Sequence, residues 1–545
     1  MSPVKKLSTP APEWPVRMAP SASIDRPVQD SAPWIVALNG VPKARVSTDV
    51  AAVLKTVDGL KDPAEVAAQL GEPWTAEDVT GVVEQLANTG IFDVGTHRAK
   101  VRRVQFRAPL TVQFTLFNPS VFLHSLRPLV AALARREVLV LAALLVLAGI
   151  VGLSTAGPGI LRILSTPLPM EAYLGVAAAM FASTLLHELG HGLALAYFGG
   201  QPRRIGIMLF YLSPAFFCDV TDGWRLPSRK QRVLVALAGP LVHLGLGSAA
   251  LSVQGFMTGS VLKDGTLLYG VLCYCVAVLN LFPFIKLDGY VALMSALDIP
   301  YLRRKSMDAL GEVITVHVFG ARSALPIRGL LPWFGLASFV AGVAFMGIGF
   351  QRLVPVFLQF GFAGHLAVAV VLTVLLVLVS AGVIRFFLRA ARNGSPLWRR
   401  GLVGAGGMGV LALILAVVPV TSKQVAGYTL VDGRLNIVTP VGSTHGAFAD
   451  GDRVSLQSQG FVIHRELGMA TLGSLPPSLS NAPLEAVVPV TFGGLTVPVL
   501  SYDADIRANG LLPSSGRAEV TSHRQLNLGE WLWDAVATSP LWPGN

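Results

Sequence analysis

The chain has 545 residues, 52% of them hydrophobic and 14% charged, with a mean hydropathy of +0.58, which excludes an ordinary soluble protein. Its formal net charge of +11 does not indicate a nucleic-acid partner, because the basic residues sit in short clusters beside apolar runs, where positive loops stay in the cytoplasm. Cys218, Cys273 and Cys275, all in the apolar region, form neither a disulfide framework nor a thiolate zinc site and read as small packing residues.

Residues 1–32 combine prolines with scattered polar residues and lack the apolar core of a secretory signal. They are expected as a disordered tail that leaves the first domain in the cytosol. That domain, 33–96, begins with a strand at Trp34–Leu38, a turn at Val41-Pro42 and a returning strand at Ala44–Val46. Asp49–Val57, Pro63–Leu70 and Thr75–Thr89 then repeat apolar residues at helical spacing, with Thr75 as a cap and Gly90 as the stop before Ile91-Phe92. A juxtamembrane segment follows at 97–136.

Seven runs long enough to cross about 30 Å of hydrocarbon lie near 137–156, 171–198, 233–253, 267–287, 331–351, 362–384 and 402–420. They define a membrane domain at 137–420. Arg135 and Arg136 precede the first run, Arg203 and Arg204 follow the second, and Arg225, Arg229, Lys230 and Arg232 precede the third. Arg303, Arg304 and Lys305 follow the fourth, while Arg385, Arg389, Arg392, Arg399 and Arg400 separate the last two. This bias, with an odd number of spans, predicts a multi-pass protein of the cell membrane with a cytoplasmic N-terminus and an extracytoplasmic C-terminus. Pro355 and Gly361 leave a re-entrant turn open as an alternative to an external loop between the fifth and sixth spans.

Inside the second run lies His187-Glu188-Leu189-Gly190-His191. Residues four apart share a helix face, so both imidazoles can grip one Zn²⁺ while Glu188, one step round, reaches water activated there. Ionisable groups are expensive in lipid and usually functional. After this run, Ile205–Val220 is apolar and aromatic, too short to cross, and interrupted by Pro214. It is expected as a hairpin or re-entrant loop, either a packing element or an edge for an extended peptide.

A catalytic zinc site needs a third protein ligand and an open position. Asp288, at the end of the fourth run and on the same side as the C-terminal half of the second, is the donor at matching depth. Pro283 breaks that helix and Gly289 lets the chain turn, aiming Asp288 inward. Beyond Val420 the composition shifts to Gly, Ser, Pro and short β-rich runs at Leu435–Val438, Arg453–Leu456, Val487–Phe492 and Leu495–Tyr502, predicting an extracytoplasmic β-rich domain at 421–545. This segment holds ten acidic and seven basic residues, unlike the basic membrane loops. His445, His464 and His523 lack a local ligand pattern and read as surface or structural residues.

The two motifs, their order and their places in the membrane resemble the site-2 protease family of intramembrane zinc metalloproteases, over about 171–300. The resemblance implies that His187, His191 and Asp288 bind zinc, that Glu188 is the general base, and that Asn280 helps hold the substrate or its developing oxyanion. Two positions depart from the family pattern: Ile285 stands where a second proline is usual, and Tyr290 replaces glycine after Asp288-Gly289. Ala238-Gly239-Pro240-Leu241-Val242-His243 resembles a family segment that usually ends in asparagine. His243 would then contact substrate, touch the metal or hold an interhelix contact. The segment 33–96 is similar in pattern to the small winged-helix domains related to PqqD, which bind leader segments of ribosomally made peptides, commonly by adding the peptide to a sheet edge; a generic winged helix has the same pattern.

The expected fold is therefore a polytopic α-helical membrane protein of about seven spans, with an N-terminal α+β winged-helix-like domain and a C-terminal β-rich domain. Its expected activity is zinc-dependent hydrolysis of a peptide bond in a membrane-associated peptide or protein, in the maturation or export of a ribosomally synthesised peptide. The alternatives are a regulatory protease that releases a membrane-tethered factor, and a non-proteolytic transporter or immunity protein. The expected partners are that substrate, the lipid bilayer and a precursor leader at 33–96.

Overall fold

The computed structural model describes residues 14–20, 22–27, 33–38, 41–87, 89–92, 104–107, 111–210, 213–322, 329–358, 361–441, 448, 450–507 and 512–530. The chain divides into two compact units: Met1–Ala148, Ala179–Ala249 and Leu272–Pro300 form one, and Gly149–Ala178, Ala250–Val271 and Tyr301–Asn545 the other.

The first unit opens with an antiparallel sheet of β1 (Ala22–Asp25), β2 (Trp34–Leu38) and β3 (Val41–Val46), in that order. Helices α1 (Thr48–Thr56), α2 (Pro63–Leu70) and α3 (Ala76–Ala87) follow. Val36, Val53, Val66, Val79 and Ile91 meet in one buried core, because each helix turns a 3.6-period apolar stripe inward. The helix starts are fixed locally. The Ser47 hydroxyl accepts the Val50 amide, Asp62 and Glu65 cap α2 reciprocally, and Thr75 and Asp78 exchange bonds before α3. The sheet also extends into the segment expected as a tail: Ala22–Asp25 pair with Ile35–Leu38, and Val16 joins the core. The open edge of β2 takes up a strand that has almost no apolar pattern of its own.

A second antiparallel sheet begins with β4 (Val104–Arg107) and β5 (Thr111–Phe117). The short helices α4 (Ser120–Ser125) and α5 (Arg127–Leu133) lead to α6 (Arg136–Thr155). Then come α7 (Gly157–Ser165), the two-residue β6 (Leu168–Pro169) and α8 (Met170–Tyr197). At 28 residues, α8 is about 42 Å long. The hairpin expected within 205–220 is present as β7 (Ile205–Phe210) and β8 (Ser213–Cys218). It completes the sheet in the order β4-β5-β7-β8, so β8 is an edge strand. The helices α9 (Arg229–Val253), α10 (Ser260–Asn280) and α11 (Asp288–Leu297) follow, then α12 (Leu302–His317), α13 (Leu331–Leu358), α14 (Gly361–Arg392) and α15 (Leu397–Val417).

Seven helices among the described residues are long and apolar enough to cross a membrane: Arg136–Thr155, Met170–Tyr197, Arg229–Phe256, Ser260–Asn280, Leu331–Phe350, Leu366–Arg392 and Leu397–Val417. The fourth differs from the expected 267–287. It starts earlier because the buried Asp264 is held by Arg162, Nη1 to Oδ2 at 3.0 Å, which tolerates a charge in its first turn. It ends at Asn280, shortly before Pro283.

The C-terminal strands are β9 (Pro419–Val431), β10 (Arg434–Pro440), β11 (Arg453–Gln457), β12 (Glu466–Leu472), β13 (Ser478–Pro483), β14 (Val490–Thr491), β15 (Thr496–Arg507) and β16 (Ser515–Asn527). The order β10-β9-β16-β11-β12-β15-β13 has an added β10–β15 pairing that closes six strands into a ring, with β13 added to β15 outside it. Tyr428, Ile437, Val454, Leu456 and Ala518 fill its core. The strand expected at Val487–Phe492 is only β14, and it pairs in parallel with β6 rather than with the ring. His445 lies outside the described residues.

Candidate metal centre

His187 and His191 lie one turn apart on α8, each 5% exposed, with their Nε2 atoms 3.2 Å apart. Asp288 reaches them from the first turn of α11. Its Oδ2 is 3.0 Å from His187 Nε2 and its Oδ1 is 3.2 Å from His191 Nε2. The three residues offer ligand atoms that all lie within 4.8 Å of one another. The chain between α10 and α11 turns back closely over itself to make this possible. A Cβ on Gly289 would collide with the Leu281 backbone, so only glycine fits after Asp288.

The outer hydrogen bonds decide what these nitrogens can do. His191 Nδ1 lies 2.7 Å from the Val235 carbonyl oxygen. A carbonyl only accepts, so the ring proton sits on Nδ1 and Nε2 of the neutral ring keeps its lone pair. His187 Nδ1 lies 3.0 Å from Nδ1 of His243, which is 1% exposed. Asp288 Oδ2 is buried without a hydrogen-bond partner. Two ring nitrogens and a carboxylate thus crowd within 3.0 to 3.2 Å of one another in a buried space, a donor set that a shared cation would satisfy. Gly239 of α9 closes the other side. A Cβ there would run into Nε2 of both histidines, so the absence of a side chain keeps the space clear.

The Glu188 carboxylate is engaged differently from the three. Its Oε2 accepts a hydrogen bond from the Cys218 amide at 2.7 Å, tying α8 to the end of β8. A backbone donor has no residue-type signature, so only the apolar and aromatic run at 205–220 hinted at this hairpin. Burial first, then the Glu188 and Asp219 carboxylates, push the Cys218 thiol up to about 12, which keeps it a neutral packing group. Burial also works against charge at Asp219, but the Thr221 hydroxyl and the Arg204 guanidinium hold its carboxyl below the ordinary value.

Asn280 is not drawn into the group. Its side-chain amide donates to Val276 of its own helix at 3.0 Å. His243 packs against His187, with ring centroids 5.0 Å apart, and its Nε2 is buried without a partner.

Part of the chain is similar to curated proteins named as zinc metalloproteases. A Bacillus subtilis protein named "Putative peptide zinc metalloprotease protein YydH" is 29% identical over 152 residues, 27% of this chain and 57% of the relative. A Mycobacterium tuberculosis protein named "Putative zinc metalloprotease Rip2", found in two strains, is 29% identical over 191 residues, 30% of this chain and 72% of the relative. The chain thus spans little more than half the length of the first of these relatives. No family model and no solved structure matches. Two imidazoles and a carboxylate are a zinc donor set, and together with these relatives they identify Zn²⁺ as the cofactor.

Proposed function

We propose that the chain is an intramembrane zinc metalloprotease of the site-2 type, with His187, His191 and Asp288 as metal ligands. The observation that carries this reading is the convergence of three ligand atoms, two of them on the span-length helix that also carries Glu188. When bound, Zn²⁺ supplies Lewis acidity toward water and the scissile carbonyl. Glu188 is the general base, taking a proton from water and returning it to the departing amine. Its bond to the Cys218 amide holds the carboxylate in place for that transfer. His243 Nε2, buried without a protein partner, and Asn280, with one amide proton beyond its Val276 bond, are the proposed donors to the substrate.

The substrate is an extended segment of a membrane-associated peptide or protein, since a closed helix shields its own carbonyls. The edge strand β8 supports this, because a strand added there would run beside the Glu188 anchor. The word "peptide" in the name of the Bacillus subtilis relative and the three-stranded sheet with three helices at the N-terminus support maturation or export of a ribosomally made peptide, with a PqqD-like module at 33–96 receiving the leader. The N-terminus is cytoplasmic and the C-terminus extracytoplasmic in the cell membrane. In support, the C-terminal domain pairs with β6 beside the start of α8, and the Tyr173 hydroxyl donates to the Pro489 carbonyl at 3.0 Å. The other end of α8 leads to Arg203 and Arg204.

The test is reconstitution of the purified chain with zinc and candidate membrane peptides, with fragments identified by mass spectrometry. Cleavage should stop on chelation and return with zinc. Cleavage that survives chelation, or substrate flux without fragments, overturns the proposal.

A further inference from the structure

Three positions of α9, Val235, Gly239 and His243, recur every four residues and so share one helix face. All three meet the histidines of α8. The Val235 carbonyl takes His191 Nδ1, Gly239 lies against both Nε2 atoms, and His243 Nδ1 stands 3.0 Å from His187 Nδ1.

A nitrogen–nitrogen contact of that length requires a proton between the rings, since two lone pairs would repel. If His243 donated it, the neutral His187 ring would carry its own proton on Nε2, inside the ligand group. That proton would point at His191 Nε2 and Asp288, at 3.2 and 3.0 Å, filling the space a cation needs and leaving His187 Nε2 with no lone pair to bind it. If His187 donates, its Nε2 presents a lone pair to the cation, and the proton of His243 moves to its own Nε2. That second arrangement is the one compatible with a metal.

Resting on the zinc reading above, we infer that His243 is a positioning residue: its Nδ1 accepts the His187 Nδ1–H and sets the tautomer and rotation that make His187 a ligand. It does for His187 what the Val235 carbonyl does for His191. The two ligands are thus oriented by one helix face, one through a backbone acceptor that mutation leaves in place and one through a side chain that mutation removes.

The experiment uses the full chain in detergent, zinc titrated against a competing chelator, and the variants His243→Leu and His243→Asn. Leucine fills similar volume without an acceptor; the asparagine Oδ1 falls near the position of the imidazole Nδ1 and can accept. Folding is checked by monodisperse elution and thermal melting. Zinc affinity should fall by about 10- to 100-fold in His243→Leu and be largely rescued in His243→Asn. Nitrogen-15 histidine spectra of the zinc-loaded parent should show His187 protonated at Nδ1. A folded His243→Leu that binds zinc as tightly as the parent overturns the inference and leaves the protease reading standing. So does a His243→Asn as weak as His243→Leu. A parent that takes up no zinc overturns both.

Discussion

The Glu188 carboxylate is bonded to the amide of Cys218, 30 positions later in the chain, so the group proposed as general base is held by the edge strand proposed to receive substrate. Glu188→Gln keeps an oxygen that can accept from that amide but has no basic carboxylate. We expect it to fold and bind zinc like the parent while peptide cleavage falls by about 10²- to 10⁴-fold. Glu188→Ala should lose cleavage and also leave the Cys218 amide unpaired, lowering thermal stability relative to the glutamine variant. The comparison needs cleavage rate, zinc content and melting temperature for all three chains. Undiminished cleavage in Glu188→Gln would remove the residue from its role.

Gly239→Ala inserts a methyl where both imidazole Nε2 atoms lie. Since the collision is with buried rings, and α8 packs directly on α9 at this point, the rings must rotate or the helices must part. The expected outcome is a folded chain with zinc stoichiometry well below that of the parent, measured by metal analysis after gel filtration. An alanine variant that keeps full zinc occupancy would show that the two helices can separate without disturbing the ligands.

Much of the architecture was legible because its signals are periodic. Apolar runs marked seven helices, and i,i+4 spacing put two imidazoles on one face of α8. What stayed hidden depended on partners far along the chain. β1 has little strand pattern and exists because β2 offers it an edge. The β10–β15 pairing that closes the C-terminal ring is a matter of register between strands about 60 residues apart in sequence, with no residue-type signature. The start of α10 was missed because Lys263 and Asp264 lower the local hydropathy, and only the structure shows Arg162 neutralising the buried carboxylate. At the candidate centre, the types of the ligands and an interhelix contact at His243 were readable, but the Val235 carbonyl beside His191, a backbone group, was not.

Asp58 supplies a pH dependence in the N-terminal module. Its carboxylate bonds the Lys61 side chain and accepts from the Leu60 and Lys61 amides, bringing its pKa down to about 2. A carboxyl that is more acidic in the folded state stabilises the fold above the ordinary carboxylate range, and the contribution is lost as pH falls from about 4 toward 2. Asp58→Asn should therefore lower the melting temperature at neutral pH and flatten this part of the acid limb. A melting profile of the variant that follows the parent across pH 2 to 5, within about a degree, would show that the turn does not limit stability.

Asp298 offers the sharpest test of how the N-terminal module is tied to its unit. Its carboxylate bonds the buried Arg232 at 2.6 Å, with Arg45 of β3 and Arg229 each at 3.6 Å. It also ends α11 in a left-handed conformation, φ 55°, which asparagine tolerates well. Asp298→Asn thus removes the charge while preserving the turn. It leaves Arg232 buried without its counter-ion, at a cost of about 3 kcal/mol, whereas Arg45→Ala, at a half-exposed pair, should cost about 1 kcal/mol or less. Thermal melts of both variants and of the double variant separate the contributions, and the Arg45 effect should shrink in the Asp298→Asn background because the shared carboxylate is gone. Equal Arg45→Ala effects in the two backgrounds would mean that the module is held by its Arg45 bond to the Trp224 carbonyl, at 3.2 Å, and not through Asp298.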